Sequence, residues 1–371
     1  MNNIILVYGG NSVEHEISVI TALQIKKKYK GKYNLNLCYL KNGIFYFGKK
    51  LESLETYKDF KKHSKHLKKI NFMANNNNLK VGFRKIPFDA VWVVTHGHEC
   101  EDGTINAYFK TLNINVISED IYSGVLGQDK VFSKLLCKVK TLPYFQLYKK
   151  EYINNQNDVL EQAKKISFPL IIKPSKLGSS IGVCKVENQS DLLKKLEESF
   201  YLCDCIICER YLENFEEYNI AAVEINNKII LSEIEKVSNN KMLTYDDKYI
   251  NNDKSMLGQK RELPAIISNK LKEKIEQYAQ KIYNNLNCKY IVRMDFLYDK
   301  NNNILYFNEI NNIPGSLALY LFEKKNINTN KLIDSYIDEG LKNIDFNKNI
   351  LKNFKNNIFK ELSLNSEKIY K

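Results

Sequence analysis

Two alternating runs in the last third of the chain restrict its fold more than any other feature. Arg293-Met294-Asp295-Phe296-Leu297-Tyr298 and Ile304-Leu305-Tyr306-Phe307-Asn308-Glu309-Ile310-Asn311 flank an Asp-Lys-Asn-Asn-Asn segment. The pattern predicts a β-hairpin with its turn centred near Asn302. Such a turn sets Asp295 opposite Glu309 and Arg293 opposite Asn311. The period of two in a strand then puts all four side chains on one face. Most of Met294, Phe296, Phe307 and Ile310 pack inward or on the other face. Two opposed carboxylates on a half-buried face repel each other unless a cation lies between them. Asp, Glu and Asn offer only oxygen ligands, the donor set that suits Mg2+. A salt-bridge ladder from Arg293 to these carboxylates uses the same residues without a metal.

Upstream, the chain alternates strands and helices. Ile4–Tyr8 reads as a buried strand, followed by a turn at Gly9-Gly10 and a helix from about Val13. Asn11 and Glu14 stand in capping-box spacing there. A carboxylate at Glu14 also suits the positive end of the helix dipole, so a purely structural role competes with a chemical one. Ala90–Val94 is a fully apolar strand of the parallel-sheet kind. It ends at Thr95-His96-Gly97, and open α/β sheets bind ligands at the carboxyl ends of their strands. Strands around Phe168–Lys173 and Ile181–Val186 bracket Pro174-Ser175-Lys176-Leu177-Gly178-Ser179-Ser180. Backbone N–H groups of such a loop can cradle phosphate while Lys173 supplies charge, although the Walker pattern is missing. Glu209-Arg210-Tyr211-Leu212 leaves the apolar strand Ile206–Cys208, where backbone groups can meet an adenine edge.

Composition narrows the class. The 371 residues are 44% hydrophobic and 27% charged, which suits two or three globular domains and excludes disorder as the main state. No apolar run approaches the roughly 18–20 residues of a membrane span. The N-terminus lacks the basic start of a signal peptide, so a cytoplasmic location is expected. Net charge is +13, yet the arginines are only Arg84, Arg210, Arg261 and Arg293. Arginine dominates base and bidentate phosphate recognition, so the lysine-rich balance reads as a solvated surface and neither nucleic acid nor membrane is expected as a partner. Cys203, Cys205 and Cys208 lie close together, but no further cysteine pair or nearby histidine completes a zinc site. They are expected in the core, and His63 and His66 on the surface. In the tail, Ile350, Phe354, Ile358 and Leu362 form a helical stripe on a basic background, expected to dock on its own domain or on a subunit.

In order and spacing, a set of motifs resembles the D-alanine–D-alanine ligases of the ATP-grasp superfamily. They begin with Gly9-Gly10-x-Ser12-x-Glu14-His15-Glu16-x-Ser18, then His96-Gly97 with Glu101-Asp102-Gly103, and Asp129-Lys130. Lys173-Pro174 with Gly178-Ser179-Ser180-x-Gly182 follows, then Tyr245-Asp246 with Lys248-Tyr249. Arg293-x-Asp295-Phe296 and Glu309-x-Asn311 with Pro314-Gly315 complete the set. The resemblance runs from Gly9 to about Leu321. It implies an α/β fold in a three-domain ATP-grasp architecture with an N-terminal parallel-sheet domain. The expected divisions are a substrate domain over 1–120, a central grasp subdomain over 121–212, a catalytic grasp subdomain over 213–340 and a basic helical tail over 341–371.

The same resemblance implies ATP-dependent joining of two D-alanines through an acyl phosphate, for peptidoglycan synthesis. Lys130 and Lys173 would meet the phosphates of ATP, and Glu209, Leu212 and Glu217 its adenine and ribose. Asp295, Glu309 and Asn311 would hold two Mg2+ ions, for which Mn2+ could substitute. Glu14 would bind the first ammonium, hydrogen-bonded to Ser179 and Tyr249 and with His96 nearby. Arg293 and the N–H of Gly315 would stabilise the oxyanion. Lys248 would reach the second carboxylate or the γ-phosphate, and 238–254 would form a lid. The family's dimer is expected as well, a homodimer of this chain. Three departures stand out. Cys100 replaces a usual glycine, and the lid motif is the short Tyr-Asp-Asp-Lys-Tyr. After Gly315 the usual Thr/Ser-rich stretch becomes Ser316-Leu317-Ala318-Leu319-Tyr320, leaving Ser316 as the stand-in for second-substrate binding. A D-Ala–D-Ser ligase, another carboxylate–amine ligase of this superfamily, or a basic binding protein that keeps the fold without catalysis are the alternatives.

Overall fold

The computed structural model describes residues 2–237 and 261–348. Its first sheet forms around β1 (Asn3–Gly9), which pairs in parallel with β2 (Asn34–Lys41). β3 (Ile44–Phe47) and β4 (Lys68–Ile70) extend the β2 edge antiparallel. β5 (Asn78–Val81) and β6 (Arg84–Pro87) form a small separate hairpin. β7 (Ala90–Val93) and β8 (Val116–Ile117) complete the other side in parallel, giving the order β4-β3-β2-β1-β7-β8. Every residue of Ile4–Gly9 and of β7 is buried, as a parallel sheet covered on both faces requires.

The first helix runs His15–Lys28, two residues later than expected, and the capping box does not form. Glu14 is the N-cap residue but makes no side-chain cap, because its carboxylate turns to Ser179. The Asn11 side chain accepts instead from the Asn42 N–H at 3.0 Å. Ser18 fastens this helix over the sheet: its hydroxyl donates to the Val94 carbonyl (2.6 Å) and accepts from the Gly9 N–H (2.9 Å).

The second sheet is antiparallel, with strands β9 (Tyr144–Tyr148), β10 (Leu170–Pro174), β11 (Cys184–Val186) and β12 (Cys205–Arg210) in the order β11-β10-β12-β9. Helices Gln156–Ile166 and Gln189–Ser199 pack their apolar stripes on it. Asn155 and Asn188 cap those helices through their side-chain oxygens. β11 begins three residues later than expected. Ser179, Ser180 and Gly182 have positive φ, so the loop stays irregular through Val183. Cys205 and Cys208 lie buried in β12 on opposite faces, while Cys203 is half-buried before it.

The third sheet comprises β13 (Phe215–Ile225), β14 (Lys228–Val237), β15 (Arg261–Glu262), β16 (Val292–Asp299) and β17 (Ile304–Asn311), in the order β15-β14-β13-β16-β17. The β16–β17 register is the expected one: Arg293 faces Asn311 and Asp295 faces Glu309. Asp299 closes the turn by accepting from the Asn301 and Asn302 N–H groups at 2.9 and 3.1 Å. Next to Asp295 the register shifts by one, so that Phe296 faces Phe307. This bulge sends Phe307 into the core with Met294, Phe296 and Ile310, under helix Asn269–Asn285, and adds Asn308 to the chemical face.

Helix Thr329–Lys348 returns to the first sheet, where Trp92 Nε1 donates to the Tyr336 hydroxyl at 3.2 Å. The expected tail boundary at 341 thus falls inside a continuous helix. Residues 349–371, with the apolar stripe expected there, lie outside the described residues.

Candidate active site

The three sheets converge on one cavity, and each wall can be traced to a local cause. On β16 and β17, Arg293 clamps Asp295 with two hydrogen bonds, Nε to Oδ1 at 2.7 Å and Nη2 to Oδ2 at 2.8 Å. Burial works against the Arg293 charge, but the Asp295 carboxylate outweighs it and raises the guanidinium above its ordinary value. The Asn311 amide donates to the same Oδ2 at 3.1 Å. Across the pair, Glu309 lies 3.5 Å from the Lys130 ammonium. A salt bridge to Arg293 is therefore real for Asp295, while Glu309 faces the opposite wall.

The lysine wall comes from a helix and a strand. Asp129 caps helix Lys130–Leu136 by accepting from the Val131 N–H at 2.8 Å. Lys130 and Lys134, four residues apart, then share a face. Lys130 Nζ donates to the Leu177 carbonyl at 2.5 Å and Lys173 Nζ to Asn308 Oδ1 at 2.9 Å. Lys173 also contacts Glu209 Oε2 at 2.5 Å, while Lys134 holds Glu209 Oε1 at 2.7 Å. Burial pushes the Glu209 carboxyl up, but the two ammonium charges outweigh it and bring it down to about 2.

Of the residues expected at the nucleotide base, the Glu209 carboxylate is fully buried between its lysines, and Leu212 packs with Leu142, Tyr306 and Leu297, the last of which lines the cavity. Glu217 does line the cavity.

At the opposite end Ser179 hydrogen-bonds Glu14 Oε1. Glycines make room for that carboxylate: a Cβ on Gly178 would stand 2.7 Å from Glu14 Oε2, and one on Gly97, at φ +87, 2.9 Å from it. Burial, then the nearby Glu101 charge, raises the Glu14 carboxyl, with Ser179, His96 and Lys130 opposing. His96 is buried, its Nε2 3.1 Å from the Thr21 hydroxyl and its Nδ1 3.6 Å from Glu101 Oε1. Glu101 accepts from the Gly97 N–H (2.9 Å) and the Ile313 N–H (3.2 Å), tying the loop after β7 to the chain leaving β17. The sequence motif contained Glu101 but assigned it no role. Cys100 sits against Gly10, and burial raises its thiol to about 11, so it acts as packing.

Gly315 lines the cavity, but the residues after it take an unforeseen path. Ser316, Leu317 and Ala318 all adopt positive φ, near +50. This turn points Ser316 at the first helix, where its N–H donates to Thr21 Oγ1 (3.1 Å) and its hydroxyl bonds Gln24. Ser316, expected at the second substrate, is not part of the cavity lining, whereas Tyr320 is. The Tyr320 hydroxyl donates to Glu235 Oε2 at 2.9 Å, and the Arg261 guanidinium lies 3.3 Å from Glu235 Oε1 and 5.6 Å from the Tyr320 ring centre. Sequence reasoning missed Asn308, Glu235, Arg261 and Tyr320. Of these, only Asn308 had a signal, the three-residue interval between Phe307 and Ile310. Lys248, Tyr249 and the 238–254 segment lie outside the described residues.

Among the described residues no three His, Cys, Asp or Glu side chains converge as a metal cage. Two carboxylates and an amide on one cavity wall, opposite lysines, fit a hard cation that completes its shell with phosphate oxygens and water, as Mg2+ does.

A fold with an antiparallel grasp of two sheets around lysines and paired carboxylates, beside a parallel N-terminal sheet, is that of ATP-grasp ligases. The D-ala D-ala ligase N-terminus model matches residues 3–118, and the D-ala D-ala ligase C-terminus model matches residues 136–338. The chain is 35% identical over 367 residues to the D-alanine--D-alanine ligase of Thermosipho melanesiensis, covering 95% of this chain and 99% of that one. The crystal structure of D-alanine-D-alanine ligase from Helicobacter pylori aligns with a TM-score of 0.71 at 27% identity, covering 92% of this chain and 98% of that one. The ligase from Coxiella burnetii shares the fold with a TM-score of 0.80 at 19% identity, covering 94% and 96%. The chain belongs to the D-alanine–D-alanine ligase family.

Proposed function

We propose that this chain joins two D-alanines at the expense of ATP, through an acyl phosphate, to supply D-alanyl-D-alanine for peptidoglycan. The observation that carries the reading is one cavity with two ends. Register-paired Asp295 and Glu309 line one end together with Lys130 and Lys173, with Glu309 facing Lys130, and Glu14 bonded to Ser179 sits at the other. Lys130 and Lys173 neutralise and orient the phosphates. Asp295, Glu309 and Asn311 would hold two Mg2+ ions, for which Mn2+ could substitute, and these would supply charge neutralisation at the transferred phosphoryl group. The ammonium of the first D-alanine pairs with Glu14, which relieves the repulsion between Glu14 and Glu101. That pairing aims the substrate carboxylate at the γ-phosphoryl group.

Attack by the second D-alanine's amine on the acyl carbon expels phosphate. Arg293, held in place by Asp295, and the Gly315 N–H stabilise the developing oxyanion. His96 stands near the first substrate, and Glu217 takes the ribose. Lys248 and Tyr249 complete the second-substrate and ammonium contacts, under a lid over 238–254 that keeps water from the acyl phosphate. We further propose the divisions at 120 and 212, a cytoplasmic location and a homodimer. Among the described residues no helix is long and apolar enough to cross a membrane.

The test is phosphate release from ATP with D-alanine, D-serine, D-lactate or L-alanine, singly and in pairs. D-Alanine alone should support turnover and L-alanine should not. Absence of any D-amino-acid-dependent release contradicts the reading, and release that needs D-serine moves the second substrate to D-serine.

A further inference from the structure

Lys134 is the most deeply buried cation near the cavity, and the mechanism above does not use it. Its side chain is fully buried, as is that of Glu209, and Lys173 is nearly so. Burial of an ammonium is costly unless its partner is fixed and its protons are satisfied. The partner is fixed, since Nζ lies 2.7 Å from Glu209 Oε1, and one proton goes to the Phe307 carbonyl at 3.3 Å. Phe307 precedes Asn308, which accepts from Lys173. Lys134 therefore touches both supports of the Lys173 side chain, Glu209 directly and the bulged strand through its backbone.

The charge count decides what this does. Glu209 alone beside Lys173 would form a closed ion pair with no net charge, a poor partner for phosphate. With Lys134 on the other carboxylate oxygen, the buried group carries two ammonium charges and one carboxylate. One positive charge is left over, and Lys173 is the member that lines the cavity. At a few ångströms from a bound phosphate that uncancelled charge is attractive, where a closed ion pair is not.

We infer that Lys134 is a positioning residue for the nucleotide: it occupies Glu209 so that the Lys173 ammonium keeps its charge and its aim for a phosphate oxygen. The inference rests on the nucleotide half of the proposed function and is independent of which amino acids are joined.

The test is binding of ADP with Mg2+ by titration calorimetry, without D-alanine, so that it does not depend on ligase turnover. Lys134→Gln keeps a hydrogen-bond donor toward Glu209 but removes the charge. It should weaken ADP binding about tenfold or more and raise KM for ATP, leaving KM for D-alanine unchanged. Lys134→Arg keeps a positive charge beside Glu209 and should bind ADP within about threefold of the unaltered chain. Should Lys134→Gln not fold, Lys134→Arg decides: binding near the unaltered value supports the inference, and loss of binding overturns it. A folded Lys134→Gln that binds ADP as tightly as the unaltered chain overturns it too, as does an equal rise in KM for both substrates. If ADP binding follows this pattern while D-alanine supports no turnover, the ligase reading fails and the lysine inference stands.

Discussion

The β16–β17 hairpin lines the cavity and the turn after Gly315 carries the chain between two residues that do, Gly315 and Tyr320, yet hairpin and turn are built on different principles. In the hairpin, position in the sequence determines position in space, because cross-strand pairing fixes which side chains meet. Arg293, Asp295, Glu309 and Asn311 come together for that reason. In the turn, three non-glycine residues in succession hold positive φ, a conformation that side chains disfavour and that surrounding contacts must impose. Thr21 and Gln24 on the first helix supply contacts to Ser316, and Tyr320 rather than Ser316 reaches the cavity. The hairpin is therefore expected to tolerate little chemical change, whereas the turn wall can vary and adjust the second substrate.

Substitutions can break this contrast. The largest effect is expected from Glu309→Gln, which keeps shape but removes one of two opposed charges. Metal-dependent turnover should fall on the order of a hundredfold or more with unchanged thermal stability, read by metal titration of the rate. Unchanged kinetics would remove Glu309 from the metal face. Next comes Gly178→Ala, whose Cβ would press on Glu14 Oε2 from 2.7 Å. Displacing that carboxylate should cost about ten- to a hundredfold in kcat/KM for D-alanine, with ATP binding preserved. Equal losses for ATP and D-alanine would show that the loop acts on the whole cleft.

Tyr320→Phe removes one hydrogen bond to Glu235. It should raise KM for the second amino acid a few-fold, in line with about 1 kcal/mol. An effect as large as that of Glu309→Gln would put the turn on the same footing as the hairpin.

A pH experiment sharpens the comparison from outside the cavity. Glu119 is fully buried, and burial raises its carboxyl to about 7 against hydrogen bonds from the Lys289 and Tyr290 N–H groups and Ser123. Its pKa in the folded chain lies above the unfolded value. The stability it contributes is thus complete at acid pH and is lost as pH rises through about 7. Thermal unfolding of the unaltered chain should show that loss as pH rises from about 4.5 to about 7, with no further loss from this group above that, and Glu119→Gln should flatten it. An identical pH profile in both chains would exclude this group.

What was legible in the sequence follows the same division. Strand periodicity alone disclosed the β16–β17 register and the opposed carboxylates, and apolar runs disclosed β1 and β7. The bulge at Asn308 broke the period, so Lys173's partner on that strand went unnoticed. The resemblance puts Glu209 at the nucleotide, and no local pattern signals that two lysines from other elements close over its carboxylate. Glu14 stood at capping spacing, but Ser179, far along the chain, competes successfully for it. Tyr320 and Arg261 meet through Glu235 across three separate elements, and no local pattern signals such a contact.

The central claim is that the hairpin face and the lysine wall act together to phosphorylate the D-alanine carboxylate. It is tested most directly by supplying D-alanine labelled with heavy oxygen in its carboxylate and analysing the released phosphate by mass spectrometry. Transfer through an acyl phosphate predicts one labelled oxygen in each phosphate released. Phosphate that carries no label, with all of it retained in the dipeptide or the free amino acid, would contradict the account.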